Sequence, residues 1–131
     1  MEGYSVKVRE CSKQLTVKEK IAIKDFSNAI ALDSAITDDT PIALSPAYYA
    51  ILDVHNEHSQ NDKDYTKLLI VDNSGNKYVT GSNSFFTSFI DIFNEMQQEA
   101  PGEDYSIECY RKPSQNYKGK SFLTCSIIWT L

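Results

Sequence analysis

The stretch TKLLIVDNSGNKYVTG, residues 66–81, carries the clearest fold signal in the chain. Leu68, Leu69, Ile70 and Val71 form a short apolar run, and Asn73-Ser74-Gly75-Asn76 is a group of turn formers. A second run, with Tyr78 and Val79, follows at once. This order predicts a β-hairpin, with strands Thr66 to Asp72 and Lys77 to Thr80.

Outward from that hairpin the chain reads as mostly β. YSVKVREC (4–11) alternates, with Val6, Val8 and Tyr4 on one face and Lys7 and Arg9 on the other. KEKIAIKD (18–25) has the same rhythm, so it is expected as a strand with Ile21 and Ile23 inward and Lys20, Ala22 and Lys24 outward. FSNAIALDSAITDDTP (26–41) fits a short helix or a strand, closed as a loop by its Thr/Asp run and Pro41. Pro46 excludes a long helix through 41–55, and AYYAILDV (47–54) reads as strand or a single helical turn.

One helix stands out. In SNSFFTSFIDIFNEMQQEA (82–100), Phe85, Phe89, Ile92, Phe93 and Met96 recur at helical spacing, and Ser82, Asn83 or Ser84 can cap the start. The helix is placed at about 84–98, with the aromatic stripe toward a core. An acidic connection through Glu99, Glu103 and Asp104 leads to a second hairpin, YSIECY (105–110) returning as KSFLTCSIIWTL (120–131). The fold class is all-β or β-rich α+β with one amphipathic helix, in a single domain spanning 1–131.

Composition bounds the function. The chain has 131 residues, 41 % hydrophobic and 24 % charged, and a formal net charge of −5. That suits an autonomously folding domain, and no segment approaches the about 18 uninterrupted apolar residues of a membrane span. No secretory leader is recognisable at the start, so a cytoplasmic protein is expected. Cys11, Cys109 and Cys125 form no CxxC pair and read as reduced, small, buried apolar residues.

The charge is unevenly spread. Residues 7–24 hold six cations (Lys7, Arg9, Lys13, Lys18, Lys20, Lys24) against Glu10 and Glu19. Residues 110–122, YRKPSQNYKGKSF, hold Arg111, Lys112, Lys118 and Lys120 and no acid. The remainder is strongly acidic. Such basic patches attract a polyanion locally, because screening over about 10 Å at 0.1 M salt favours the patch over the total.

Strand alternation gives the second basic segment its meaning. Ile107 and Cys109 share a face with Leu123, Cys125 and Ile127, which leaves Glu108, Tyr110 and Lys112 with Lys120 and Phe122 on the other. Tyr117, Lys118 and Gly119 then lie at the loop tip. Exposed aromatics beside cations suit single-stranded nucleic acid, where bases stack and phosphates meet Lys or Arg.

The segments KIAIKDFSNAI, AYYAILDVHNE, YTKLLIVDNSGNKYVTGSNSFFTSFIDIF and YSIECYRKPSQNYKGKSFLTCSI resemble, over about residues 18–128, small single-stranded DNA-binding proteins of bacteriophages. The resemblance implies a five-stranded, partly open barrel of the oligonucleotide-binding kind, with DNA across one sheet face. It also implies non-specific binding of single-stranded DNA, or RNA, in replication or recombination, in the bacterial host cytoplasm and without a cofactor. Homo-oligomers and replication or host proteins are the further partners to weigh. The expected contacts are Arg111, Lys112, Lys118, Lys120, Lys20, Lys24, Lys67 and Lys77 on phosphates. Tyr110, Tyr117, Phe122 and Tyr78 are expected on bases, with Tyr48 or Tyr49 as further platforms.

Other chemistries have weaker signals. Asp53, His55, Glu57, His58, Asp62 and Asp64 are metal-ligand types, but their spacing aligns only some of them on a helix or strand, so a solvated polar loop is expected. GxxxxGK[ST], GxGxxG, GxSxG and CxxC are all absent from the sequence, so catalysis is not expected. The alternative to nucleic-acid binding is an inhibitor or DNA mimic that meets a host protein through its acidic surface.

Overall fold

The computed structural model describes residues 3–37, 39–60, 62–114 and 119–128. It is β-rich, with two sheets, and neither closes into a barrel. The chain divides into two compact units, one of residues 1–30 and 47–81, the other of residues 31–46 and 82–131. Among the described residues no helix is long and apolar enough to cross a membrane.

The first unit is built on β1 (Tyr4–Cys11), β4 (Pro46–Asn56), β5 (Asp64–Asp72) and β6 (Lys77–Thr80), with the two-residue β2 (Ile30–Ala31) at the far edge. Their order is β1-β4-β5-β6-β2. β5 and β6 form the expected hairpin, in register Leu69↔Val79 and Ile70↔Tyr78. Its turn is closed by Asp72, whose carboxylate accepts from the backbone of Ser74 at 2.9 Å and Asn76 at 2.8 Å. Gly75 sits there at φ +89°, where any side chain would be strained. β1 pairs with β4, Val6↔Val54 and Val8↔Leu52, and bulges between Val8 and Glu10. One sheet face then carries Ala50, Leu52, Leu69, Val71 and Val79, packed with Leu15 and Ile23 into a buried core.

Ile23 comes from a helix, which corrects the strand expected at 18–25. Residues Val17–Lys24 form α1. The deciding signal is Thr16-Val-Lys-Glu19, a capping box: the Thr16 hydroxyl accepts from the Glu19 amide at 3.1 Å, and the Glu19 carboxylate accepts from the Thr16 amide at 3.0 Å. At the other end Lys77 Nζ donates to the carbonyls of Ala22 at 2.9 Å and Asp25 at 3.3 Å. A helix separates two residues that alternation had placed together. Ile23 is 1 % exposed, whereas Ile21 is 67 % exposed and Val17 76 %.

The second unit contains α2 (Leu32–Ala35), β3 (Ile42–Leu44), α3 (Asn83–Glu99), β7 (Ser106–Pro113) and β8 (Ser121–Ile128). The strands run in the order β3-β7-β8. α3 begins where expected, with Ser82 Oγ accepting from the Phe85 amide at 3.3 Å. Phe85, Phe89 and Phe93 are buried in one column, with ring centroids 6.2 and 5.8 Å apart. α3 packs along β8, where Ser84 Oγ donates to the Leu123 carbonyl at 2.6 Å and Ser88 Oγ meets Thr124 Oγ1 at 3.0 Å. Cys109 and Cys125 are buried free thiols facing each other across β7 and β8. Burial pushes both thiols up, Cys125 to about 12, so neither is a ready thiolate.

Candidate functional site

The register of β7 and β8 places the outer-row residues. Glu108 lies opposite Ser126, Tyr110 opposite Thr124 and Lys112 opposite Phe122. Directly opposed residues share a face. Tyr110, Lys112 and Phe122 are therefore neighbours, as alternation required. Phe122 is 37 % exposed, Lys112 and Lys120 are exposed, and Tyr110 is half-buried with its hydroxyl 2.9 Å from Ser126 Oγ. The Ser114 amide donates to the Lys120 carbonyl at 2.9 Å, which holds the two ends of the connecting loop together. Tyr117 and Lys118 lie outside the described residues.

Arg111 belongs to the other row, opposite Leu123. Its guanidinium donates to the carbonyls of Ile36 at 2.9 Å and Asp33 at 2.6 Å. It therefore ties β7 to the end of α2, where backbone acceptors lack helical partners. Lys77 does the same for α1, and its ammonium is occupied by two carbonyls. Tyr78 is buried, with its hydroxyl 3.3 Å from Asp72 Oδ2, and offers no open ring face. Lys67 is half-buried with Nζ 5.7 Å from the Tyr65 ring centroid. Tyr49 is buried, and half-buried Tyr48 has Lys13 Nζ 4.4 Å from its ring centroid.

Lys20 and Lys24 stand on a second basic surface, a groove of about 560 Å³ between β1 and α1. Lys7, Arg9 and Lys13 share its rim, while Val8, Cys11 and Leu15 contribute apolar surface and Glu10 is its acid. Arg9 is held by Asp53, Nε to Oδ2 at 3.0 Å, and Lys13 by Glu19 at 2.9 Å. Lys7, Lys20 and Lys24 form no ion pair among the described residues. Sequence reasoning counted the cations of 7–24 but did not place Lys7, Arg9 and Lys13 in the site. A strand at 18–25 would have displayed Lys20 and Lys24 on a flat face, and the capping box was the signal that makes the groove.

The polar loop after β4 resolves into a charged clamp on the sheet. His55 Nδ1 lies 2.6 Å from Asp64 Oδ1 and Nε2 lies 2.6 Å from Glu57 Oε1, while Lys63 Nζ reaches Glu57 Oε2 at 3.3 Å. The two carboxylates occupy opposite nitrogens of one ring, and among the described residues no three His, Cys, Asp or Glu side chains converge as metal ligands. The Asp64 hydrogen bond, then that of Glu57, raises the His55 pKa above its usual value, and the His55 and Lys63 contacts lower that of Glu57.

A raised histidine pKa stabilises the fold fully below the unfolded value of about 6.5 and loses that contribution as pH rises through the folded value. Urea unfolding of the native chain should therefore show stability falling as pH rises above about 6.5, and His55→Asn should flatten that slope. Parallel pH profiles for the two proteins would show that the clamp carries no such linkage.

The fold and its surfaces define a β-rich, two-sheet protein with a basic aromatic hairpin face and a basic groove. No protein-family model, no curated protein and no solved structure matches the chain.

Proposed function

We propose that the protein binds single-stranded nucleic acid without sequence preference, in the manner of a strand-protecting protein of replication or recombination. The observation that carries this reading is the β7–β8 register, which sets Phe122 against Lys112 with Tyr110 one pair further along the same face. Base stacking tolerates any sequence because every base has a π-face, and ammonium groups beside it meet the phosphates. Lys120 extends the row of charge, and Lys7, Lys20 and Lys24 supply a basic surface within their own unit. Arg111 and Lys77 serve by holding helix ends in place. A closed barrel is not required for this mode, because a sheet face that presents Tyr110, Lys112 and Phe122 meets the same need.

The test is fluorescence anisotropy of a labelled oligo-dT of about 30 nucleotides, long enough for about two or more sites of about 4–16 nucleotides. Binding should saturate at about 50 mM salt and weaken linearly on a log–log plot. The pair Lys112→Ala and Lys120→Ala should reduce the slope by about 1.4, at about 0.7 per phosphate contact on single strands. No binding at about 50 mM salt would overturn the proposal and favour a protein partner for the acidic surface.

A further inference from the structure

α3 carries a groove whose chemistry is opposite to that of the basic surfaces. Asp91, Glu95 and Glu99 recur every four residues, beside a half-buried row of Ile92 and Met96. With Ile127 of β8 they line a groove of about 300 Å³. Its floor is apolar and its rim acidic. None of the three carboxylates forms an ion pair among the described residues.

The complementary surface is on α1. Val17 and Ile21, 76 % and 67 % exposed, are the most open of the large hydrophobic side chains among the described residues. Helical spacing puts Val17, Lys20, Ile21 and Lys24 on one stripe, at i, i+3, i+4 and i+7. Lys20 and Lys24 form no ion pair among the described residues. The two surfaces also match in length, because eight residues of α1 and the span from Asp91 to Glu99 each extend about 12 Å.

We infer that the α3 groove of one copy receives α1 of a second copy. Val17 and Ile21 enter against Ile92, Met96 and Ile127, while Lys20 and Lys24 face Asp91, Glu95 and Glu99. The chain itself supplies both the apolar knob and the opposite charge, which is why the occupant is another copy of it. Val17 and Ile21 lie one helical turn apart and form one contiguous exposed apolar patch, the kind of feature that marks an interaction site. The groove and the knob are made of different residues, so the contact is heterologous and propagates head to tail unless the rotation closes a ring.

Sedimentation velocity on the full chain, without nucleic acid because Lys20 and Lys24 also line the basic groove, tests this. At about 50 mM salt the average sedimentation coefficient should rise across a concentration series, and at about 500 mM the rise should shrink. Ile21→Glu, Lys20→Glu and Glu95→Lys alter exposed positions and should each weaken association by at least about tenfold. Mixing the Lys20→Glu and Glu95→Lys proteins should restore it, since every α1 then meets a groove of opposite charge. A wild-type chain that stays monomeric at low salt, single variants that associate as the wild type does, or a mixture that fails to recover would each overturn the inference.

Discussion

Phe89→Ala should destabilise the protein by about 3–5 kcal/mol, the range for removing a fully buried aromatic side chain. Phe89 is 2 % exposed and is the middle ring of the Phe85–Phe89–Phe93 column, so its loss removes contacts on two sides and leaves a cavity. α3 is ordered mainly by this stripe, because a helix of its length gains most of its stability from packing its apolar face. Chemical denaturation followed by circular dichroism measures the effect. A loss below about 1 kcal/mol would mean that the column collapses around the gap or is not the centre of its unit. The effect at Phe89 should exceed that at Phe122, whose ring is already partly in water.

Phe122→Ala should weaken oligo-dT binding by about 5- to 150-fold, the equivalent of about 1–3 kcal/mol per stacked base. Tyr110→Ala should act in the same direction, whereas Tyr110→Phe keeps the ring, gives up only the hydroxyl contact to Ser126 and should bind as the wild type does. Tyr78→Ala makes the contrast sharp. That ring is buried, so its removal should lower stability and leave the affinity of the folded protein unchanged. If Phe122→Ala and Tyr110→Ala bind normally at about 50 mM salt, the outer row is not a stacking platform, and any binding that persists belongs to the basic groove.

Much of the β framework was legible because its signals are local. The turn formers 73–76 lie between two apolar runs, and the structure forms that hairpin with Asp72 closing the turn. The stripe from Phe85 to Phe93 has helical period, and the helix begins at the serine cap available to it. Period-two alternation placed Tyr110, Lys112 and Phe122 on one face, and the β7–β8 pairing sets them together. The basic aromatic row could be read before any coordinates.

What local signals left out, the helix at 17–24 and the partners of Arg111 and Lys77, has equally definite causes. Ile21 and Ile23 are two residues apart, a spacing that reads as strand, and one short apolar pair cannot distinguish a strand from a helix. The reciprocal Thr16–Glu19 contacts decide in favour of the helix. The composition of 110–122 counted Arg111 as one more cation for a ligand, yet its partners are carbonyls 75 and 78 residues earlier in the chain. Lys77 likewise satisfies acceptors 55 and 52 residues away. Buried or helix-terminal carbonyls demand donors, and the nearest long cation meets that demand wherever the topology brings it.

The sequence by itself determined which segments turn, which face of each regular element is apolar and where charge accumulates along the chain. These properties depend on residues a few positions apart, within reach of backbone sterics and side-chain periodicity. Only the tertiary structure decided which cations remain available. It consumed Arg111 and Lys77 on helix ends, paired Arg9 with Asp53 and Lys13 with Glu19, and left Lys7, Lys20, Lys24, Lys112 and Lys120 with no ion pair among the described residues. A side chain's charge is written in the sequence, but its partner is chosen by the packing of distant segments, because desolvated polar groups must be satisfied by whatever the fold places beside them.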